Sequence, residues 1–532
     1  MVTPGFHRAE APPVVVPENF NLADYLVDRH LREGKGGATA ILYGDQIISY
    51  AQVSERSNRV ANGLRALGVR REERVLLLLL DSPAFVYSFF AAEKIAAVPI
   101  PTNTLLKTAD YRYLLNDSRA AVAIVSEPLL PLLAAIPRSE IPHLRHVVVD
   151  GHGSPENIPF EGLIRQPPEM QVEETSRDDA AFWLYSSGTT GFPKGAVHLH
   201  HDVVHTVVLY AQGVLKITAE DRTFSVAKLF FAYGLGNALT FPFAVGASTV
   251  LWPGPPSAAN VFEQIERYRP TLFFSVPTNY GMLLAHKREG ADFDLRSVRQ
   301  AVSAGEALPP ALFQRFKERF GVEILDGIGS TEILHIFISN RPGKVRPGSS
   351  GELVPGYEAR LLDENGQEVP DGTIGSLLIK GDSTCAYYWN KHQRTKDTIE
   401  GHWIRTGDKY RRDADGFYWY AGRADDMLKV GGMWVSPVEI ENTLAEHPAV
   451  QEAGVIGRRD PSDLEKPMAY VVLAAGNQPS EALAKELQDF VRTRIAEYKR
   501  PRWIEFVDSL PKTATGKTQR FRLRQSASEA VP

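Results

Sequence analysis

Between Tyr185 and Gly195 the chain reads YSSGTTGFPKG, directly after the apolar run AAFWLY. This short segment combines the hydroxyls of Ser186, Ser187, Thr189 and Thr190, three glycines including Gly188, and the ammonium of Lys194. Backbone N–H groups exposed by glycine, short hydroxyls and one long cation can wrap phosphate oxygens, so a flexible polyphosphate-binding loop is predicted here. A Gly/Ser surface turn is the bland alternative, but such turns rarely end in Pro-Lys-Gly straight after a buried strand. The spacing is not that of an ordinary P-loop. Lys194 is followed by Gly195 rather than Ser or Thr, and the Gly516-Lys517-Thr518 run has Pro511 where the first glycine would stand.

Other chemistry-bearing residues are spread along the chain. Glu332 closes the string DGIGSTE and offers a hard oxygen suited to Mg²⁺, although a glutamate at a helix start is also favoured by the dipole alone. GIGSTE has Glu332 where a dinucleotide fingerprint needs Gly or Ala, which disfavours a nicotinamide cofactor. Asp408, in RTGD, is an acceptor for a ribose diol, and taken alone is an unremarkable turn residue. Lys517 sits in PKTATGK near the carboxyl end, where an isolated lysine reads as solvated. HLHHDVVH holds His198, His200, His201 and His205. The first pair would share a strand face and the second a helix beginning near Asp202, so the four do not converge on a zinc ion. His200 is expected to support the phosphate loop.

The string YSSGTTGFPKG resembles the phosphate-loop signature of the adenylate-forming family, which contains acyl- and aryl-CoA synthetases, peptide-synthetase adenylation domains and luciferases. The remaining family segments follow in order: AGEALP (304–309), DGIGSTE (326–332), RTGD (405–408), GRADDMLKVGGMWVSPVEIE (422–441) and PKTATGK (511–517). The resemblance implies a two-step reaction. A carboxylic acid attacks the α-phosphate of Mg·ATP to give an acyl-adenylate and pyrophosphate, and a thiol then displaces AMP. It implies catalytic roles for Lys517, Thr190 and Glu332, with Glu332 as the Mg²⁺ ligand. Nucleotide contacts are implied for Ser186, Ser187, Gly188, Thr189, Lys194, Gly305, Glu306, Ala307 and Asp326, with Asp408 and Arg423 as a ribose pair. Asp425 matches the hinge about which a small domain turns, and Gly431 and Gly432 match the face that meets the thiol of coenzyme A.

FFAYGLGN (230–237) and ILHIF (333–337) resemble the benzoate:CoA ligase branch and related aryl-CoA ligases. By that resemblance Phe231, Ala232, Tyr233, Gly327, Ile328, His335 and Ile336 line a short flat pocket. Plain core packing is the alternative for any one of these aromatics. A tyrosine hydroxyl and an imidazole in an apolar slot are expected to orient a carboxylate or a ring substituent. The expected function is an ATP-dependent aryl-CoA ligase forming benzoyl-CoA or a substituted benzoyl-CoA such as 2-aminobenzoyl-CoA, with ATP, Mg²⁺ and CoA. Two alternatives stay open: an aryl-acid adenylating enzyme that loads a carrier protein, and a nucleotide-binding sensor without turnover. No carrier-type helical unit is read after PKTATGK.

These residues need a frame, and the pattern supplies one. Through the first 330 residues, apolar β-branched runs (Val75 to Leu80, Ala121 to Val125, His146 to Val149) alternate with helical stretches such as Pro83 to Ala96, which predicts α/β with a largely parallel buried sheet. After Ser350, short segments broken by Gly, Pro, Asp and Asn predict a small antiparallel β subdomain. From Ser436 a capping box opens an α+β unit, with strands at Val450 to Ile456 and Met468 to Leu473 and a helix from Ser480 to Glu497. The boundary is placed at Ala424 to Asp425, giving a large domain of residues 1–424 with the ATP and acid sites and a mobile domain of residues 425–532 with Lys517.

Composition excludes several classes. A formal charge of −5 over 532 residues lacks the basic excess that a nucleic-acid partner demands. The uncharged stretch from Leu229 to Phe262 is interrupted by glycines and prolines and reads as a buried helix followed by a core strand, Ala247 to Leu251, not a membrane span. The first twenty residues read as a tail without a signal peptide. The single cysteine, Cys385, suits a reducing cytoplasm. The expected partners are small molecules (an aryl acid, ATP and CoA), with a homodimer and a downstream acyl-transfer partner left open.

Overall fold

The computed structural model describes residues 7–8, 11–152, 156–188, 191–424, 426–430, 433–460, 464–512 and 518–529. Two parallel sheets form its frame. The first runs in the order Val98–Pro101, Arg74–Leu78, Val122–Ser126, His146–Asp150, Ile158–Pro159, with every pairing parallel. The second has nine strands. Its parallel centre passes from Ile324–Gly329 through Gln300–Ser303, Leu272–Ser275, Arg222–Ser225 and Ser248–Val250 to Thr39–Tyr43, with antiparallel strands at both margins.

Parallel strands are covered on both faces, which is why they read as continuous apolar runs. The helix Pro83–Lys94 (PAFVYSFFAAEK) shows how deep that covering goes, since each of its residues is buried. An amphipathic surface helix would expose one stripe, whereas this one is wrapped on all sides. Its ammonium, Lys94, is neutralised in place by Asp28 at 2.7 Å and donates a hydrogen bond to Asn58 Oδ1 at 2.6 Å. The uncharged stretch after Leu229 forms helical turns from Ala232 to Val245 and then the strand Ser248–Val250.

The phosphate-loop segment departs from a plain flexible loop. It is the tip of a hairpin whose arms, Ala180–Gly188 and Gly191–Leu199, pair antiparallel with Lys194 opposite Ser186. Thr189 and Thr190 lie outside the described residues. The other hairpin edge is covered by Tyr387–Tyr388, so the lysine projects from a three-stranded sheet rather than a free loop.

The segment after Ser350 forms the antiparallel sheet that its turns predict, built from Glu358–Leu362, Gly375–Lys380, Trp403–Arg412 and Tyr418–Arg423. His7–Arg8 pairs with Ala359 and Glu358 in this sheet, so the start of the chain is not simply a tail. It covers an edge that would otherwise leave N–H and C=O groups open.

From Leu428 onward a separate apolar cluster forms around Val435, Ile440, Leu444, Val455, Val471 and Leu487. Ser436 caps the helix Pro437–Ala445 by accepting from the Glu439 N–H at 3.2 Å. The Glu439 carboxylate meanwhile pairs with Lys499 at 2.6 Å. The later helix is Glu481–Arg492, shorter than the Ser480 to Glu497 expectation. It stops at Thr493, whose hydroxyl donates to the Phe490 carbonyl, and a short turn at Glu497–Lys499 follows.

Candidate active site

Glu332 is held in a 3₁₀ turn, Thr331–Ile333, that leaves the glycine-rich end of strand Ile324–Gly329. Three groups converge on its Oε1: the Tyr388 hydroxyl donates at 2.7 Å, the Ser186 hydroxyl donates at 3.1 Å, and the Lys194 ammonium lies at 3.3 Å. Lys194 also donates to the Tyr388 oxygen at 2.8 Å. Burial alone would raise the Glu332 carboxyl, but the lysine cation and the tyrosine donor outweigh it and hold the group below the ordinary carboxylate range. A carboxylate and a cation thus meet with two hydroxyls at one point.

Sequence reasoning brought Glu332, Lys194 and Ser186 together but missed Tyr388, which stands 56 residues beyond Glu332. Nothing in AYYWN marks one tyrosine as a ligand of that carboxylate. Also missed was the clamp on the outer side of the hairpin. Tyr113 donates to the Pro193 carbonyl at 2.9 Å, Tyr185 donates to Asp117 at 2.8 Å, and the Trp389 indole donates to the Asp117 carbonyl at 2.8 Å.

Asp408 and Arg423 face each other as register partners on adjacent strands, with Nη1 to Oδ1 at 3.0 Å. Gly407 has φ +77°, and a Cβ there would stand 2.7 Å from the Arg423 guanidinium, so glycine keeps that side chain in reach of Asp408. Gly305, Glu306 and Ala307 follow the strand Gln300–Ser303, one strand over from Asp326. Asp326 accepts from the Leu308 N–H at 3.3 Å, and burial raises its carboxyl to about 8. Asp425, Gly431, Gly432 and Lys517 lie outside the described residues, as do the side chains of Ser187 and Gly188's neighbours at the hairpin tip.

Three aromatic rings gather around His335, and of these only Tyr233 belongs to the expected pocket set. The His335 ring lies 4.4 Å from Phe241, 5.4 Å from Tyr210 and 5.5 Å from Tyr233. A Cβ on Gly236 would fall 2.3 Å from the imidazole, so only glycine allows this helix so close. Gly327 packs against Ile336 in the same way, and Ile328 pairs with Ile338 beside them. Phe231 packs against Phe230 with the rings tilted at 54° and 4.4 Å apart, and Ala232 opens the helical segment that carries Tyr233.

One expectation is corrected. The Tyr233 hydroxyl does not point at a substrate, because it donates to the carbonyls of Val302 at 3.1 Å and Ser275 at 3.3 Å. His335 Nε2 faces Asn237 Oδ1 at 3.1 Å, and Nδ1 makes no hydrogen bond among the described residues. Burial pushes this imidazole down to about 3, which keeps it neutral.

The histidine string separates as well. His198 reaches Asp202 and Thr331, while His201 and His205 meet edge to face at 5.9 Å. His200 does not support the phosphate loop, because it sits at the opposite end of strand Gly191–Leu199, as the first residue of helix His200–Thr206. There its Nδ1 accepts the Leu22 N–H at 3.2 Å. Burial pushes His200 down to about 4, whereas an unfolded chain takes up that proton near pH 6.5. The unfolded state therefore binds more protons between those values, and stability is lost as pH falls through that window. Glu93 Oε2, also buried, lies 3.4 Å from His200 Nδ1, and wild type should lose stability relative to His200→Gln as pH falls toward 5. The gap in melting temperature between the two, followed from pH 7.5 to 5, should narrow; a gap independent of pH contradicts it.

A parallel-sheet frame presents a hydroxyl- and lysine-bearing hairpin to a half-buried glutamate, and an Asp–Arg pair spans two neighbouring strands. The chain belongs to the AMP-binding enzyme family: it matches that family over residues 27–389 and the AMP-binding enzyme C-terminal domain over residues 439–517. It is 48% identical over 522 residues to a benzoate–CoA ligase of Thauera aromatica, covering 98% of each chain. The crystal structure of the anthranilate CoA ligase AuaEII in complex with anthranoyl-AMP superposes with a TM-score of 0.93 at 49% identity, covering 97% of this chain and 98% of that one. A benzoate CoA ligase from Burkholderia xenovorans LB400 gives 0.87 at 47% identity, covering 95% and 100%.

Proposed function

We propose that this chain is an ATP-dependent aryl-CoA ligase that converts benzoate or a ring-substituted benzoate to its CoA thioester through an aryl-adenylate, releasing AMP and pyrophosphate. The observation that carries it is the aromatic cluster around His335, which follows Glu332 by three residues, together with the Lys194 and Ser186 partners of that glutamate. Relatives named for benzoate and anthranilate support the same substrate class.

Two anions meet in the first step, so the site's task is to neutralise charge while a carboxylate oxygen bonds to the α-phosphorus and pyrophosphate leaves. Lys194 and Ser186 bind phosphate oxygens, and Asp408 with Arg423 orients the ribose. Glu332 offers one hard carboxylate flanked by hydroxyls, a donor set that fits Mg²⁺ arriving on the substrate's phosphates. Bound there, that ion would neutralise phosphate charge. In the second step the CoA thiolate attacks the acyl carbonyl and AMP departs. Lys517 and Thr190 act in the first step. Residues 425–532 form the mobile unit, turning about Asp425 so that Gly431 and Gly432 meet the thiol, a division in keeping with the separate apolar cluster that begins at Leu428. No helix among the described residues is long and apolar enough to cross a membrane, and we place the reaction in the cytoplasm, where ATP, CoA and a reduced Cys385 coexist.

Thioester yield across benzoate, 2-aminobenzoate, the hydroxybenzoates, hexanoate and acetate tests the reading. Aromatic acids should dominate, and preference for aliphatic acids would overturn it. Replacing Ala232 with leucine should exclude substituted rings before benzoate, since overpacking an apolar slot costs roughly 1–3 kcal/mol. Equal loss on every acid would place Ala232 away from the ring.

A further inference from the structure

The turn that carries Glu332 is fixed along its backbone by three separate donors. Thr331's carbonyl accepts from His198 Nε2 at 2.8 Å, Glu332's carbonyl accepts from the Cys385 N–H at 2.7 Å, and Ile333's carbonyl accepts from the Ser383 hydroxyl at 2.9 Å. His198 is the one titratable side chain of the three. It comes from the same strand as Lys194, four residues away, and in a strand that spacing puts both side chains on one face. Strand Gly191–Leu199 therefore grips the Glu332 turn twice, through the ammonium on the carboxylate and through the imidazole on the peptide just before it.

The grip is rigid. His198 is wholly buried, its ring stacks on Phe182 at 5.5 Å, and its Nδ1 lies 2.7 Å from Asp202 Oδ2. A carbonyl can only accept, so Nε2 donates to Thr331. Asp202 is equally buried and also accepts the Leu199 N–H at 3.2 Å, which fixes it in turn. Aspartate, imidazole and carbonyl form a continuous chain into the turn. In metal sites a carboxylate commonly orients a histidine that is itself the ligand; here the carboxylate–histidine pair ends on the backbone one peptide before Glu332.

We propose that His198, locked by Asp202, is a positioning residue that sets the Glu332 carboxylate for Mg·ATP. This rests on the reading of Glu332 as the Mg²⁺ ligand. His198→Phe keeps the stacking on Phe182 and removes the donor. His198→Gln keeps a donor close to where Nε2 stood. Two readouts are needed: calorimetric affinity for Mg·ATP without acid present, and the two half-reactions separately, the second being supplied aryl-adenylate plus CoA without Mg²⁺.

His198→Phe should weaken Mg·ATP binding by about tenfold, the low end for such supporting contacts. It should raise the Mg²⁺ concentration for half-maximal adenylation similarly, and leave the Mg²⁺-free second step unchanged. His198→Gln should recover most of the loss. If His198→Phe does not fold, Asp202→Asn carries the same test, because it unlocks the ring while leaving His198 in place. A Mg²⁺ dependence like wild type, or equal loss in both half-reactions, overturns the proposal. Glu332→Gln run alongside separates the two levels. If it leaves Mg²⁺ dependence unchanged, the assignment of Glu332 falls; if it shifts that dependence and the His198 variant does not, the role of His198 alone falls.

Discussion

Lys517→Ala is expected to abolish acid-dependent pyrophosphate exchange while sparing the conversion of supplied aryl-adenylate and CoA to thioester. The first step brings a carboxylate against a phosphate, and a long cation between them lowers the barrier only while that charge is developing. Losing one such contact typically costs about 10²- to 10³-fold, or about 2.7–4 kcal/mol. The second step joins a thiolate to an acyl carbonyl that is already activated and needs no cation there. Making Gly432 bulky should give the reverse pattern, because a side chain would block the thiol while leaving the ATP pocket open. Both variants are run in both partial assays, and parallel loss of the two activities in either would refute domain rotation about Asp425.

Glu332→Gln is expected to lower adenylation by a similar factor, about 10²- to 10³-fold. Glutamine preserves the shape of the side chain and can still accept from Tyr388 and Ser186, whose hydroxyls now reach Oε1 at 2.7 and 3.1 Å. What it removes is the charge. Lys194 loses its carboxylate partner at 3.3 Å, and a hard cation loses its anionic ligand. The deficit should appear in single-turnover formation of aryl-AMP and shrink as Mg²⁺ is raised. A variant with wild-type adenylation at low Mg²⁺ would remove Glu332 from the metal site.

Much of this was legible along the chain because phosphate chemistry is local. A hairpin tip that binds phosphate must hold its glycines, hydroxyls and lysine within a few residues, so YSSGTTGFPKG carries its meaning without a fold. The alternation of apolar runs gave the parallel sheets, since strands buried on both faces cannot hide their composition. Asp408 and Arg423 were paired by motif, and antiparallel register then put them opposite each other.

Only the tertiary structure decided how those pieces act together. Tyr388 reaches Glu332 because the strand Tyr387–Tyr388 closes the hairpin edge, a pairing between segments almost 200 residues apart. The Tyr233 hydroxyl, legible as a substrate contact, is taken by two backbone carbonyls that periodicity cannot place. His198 and His200, two residues apart in the sequence, part because strand gives way to helix at Leu199, sending one to the Glu332 turn and the other to Leu22. A residue's type fixes which bonds it can make; which partner it finds is set by long-range packing, because a buried polar atom must be satisfied by whatever the fold brings beside it.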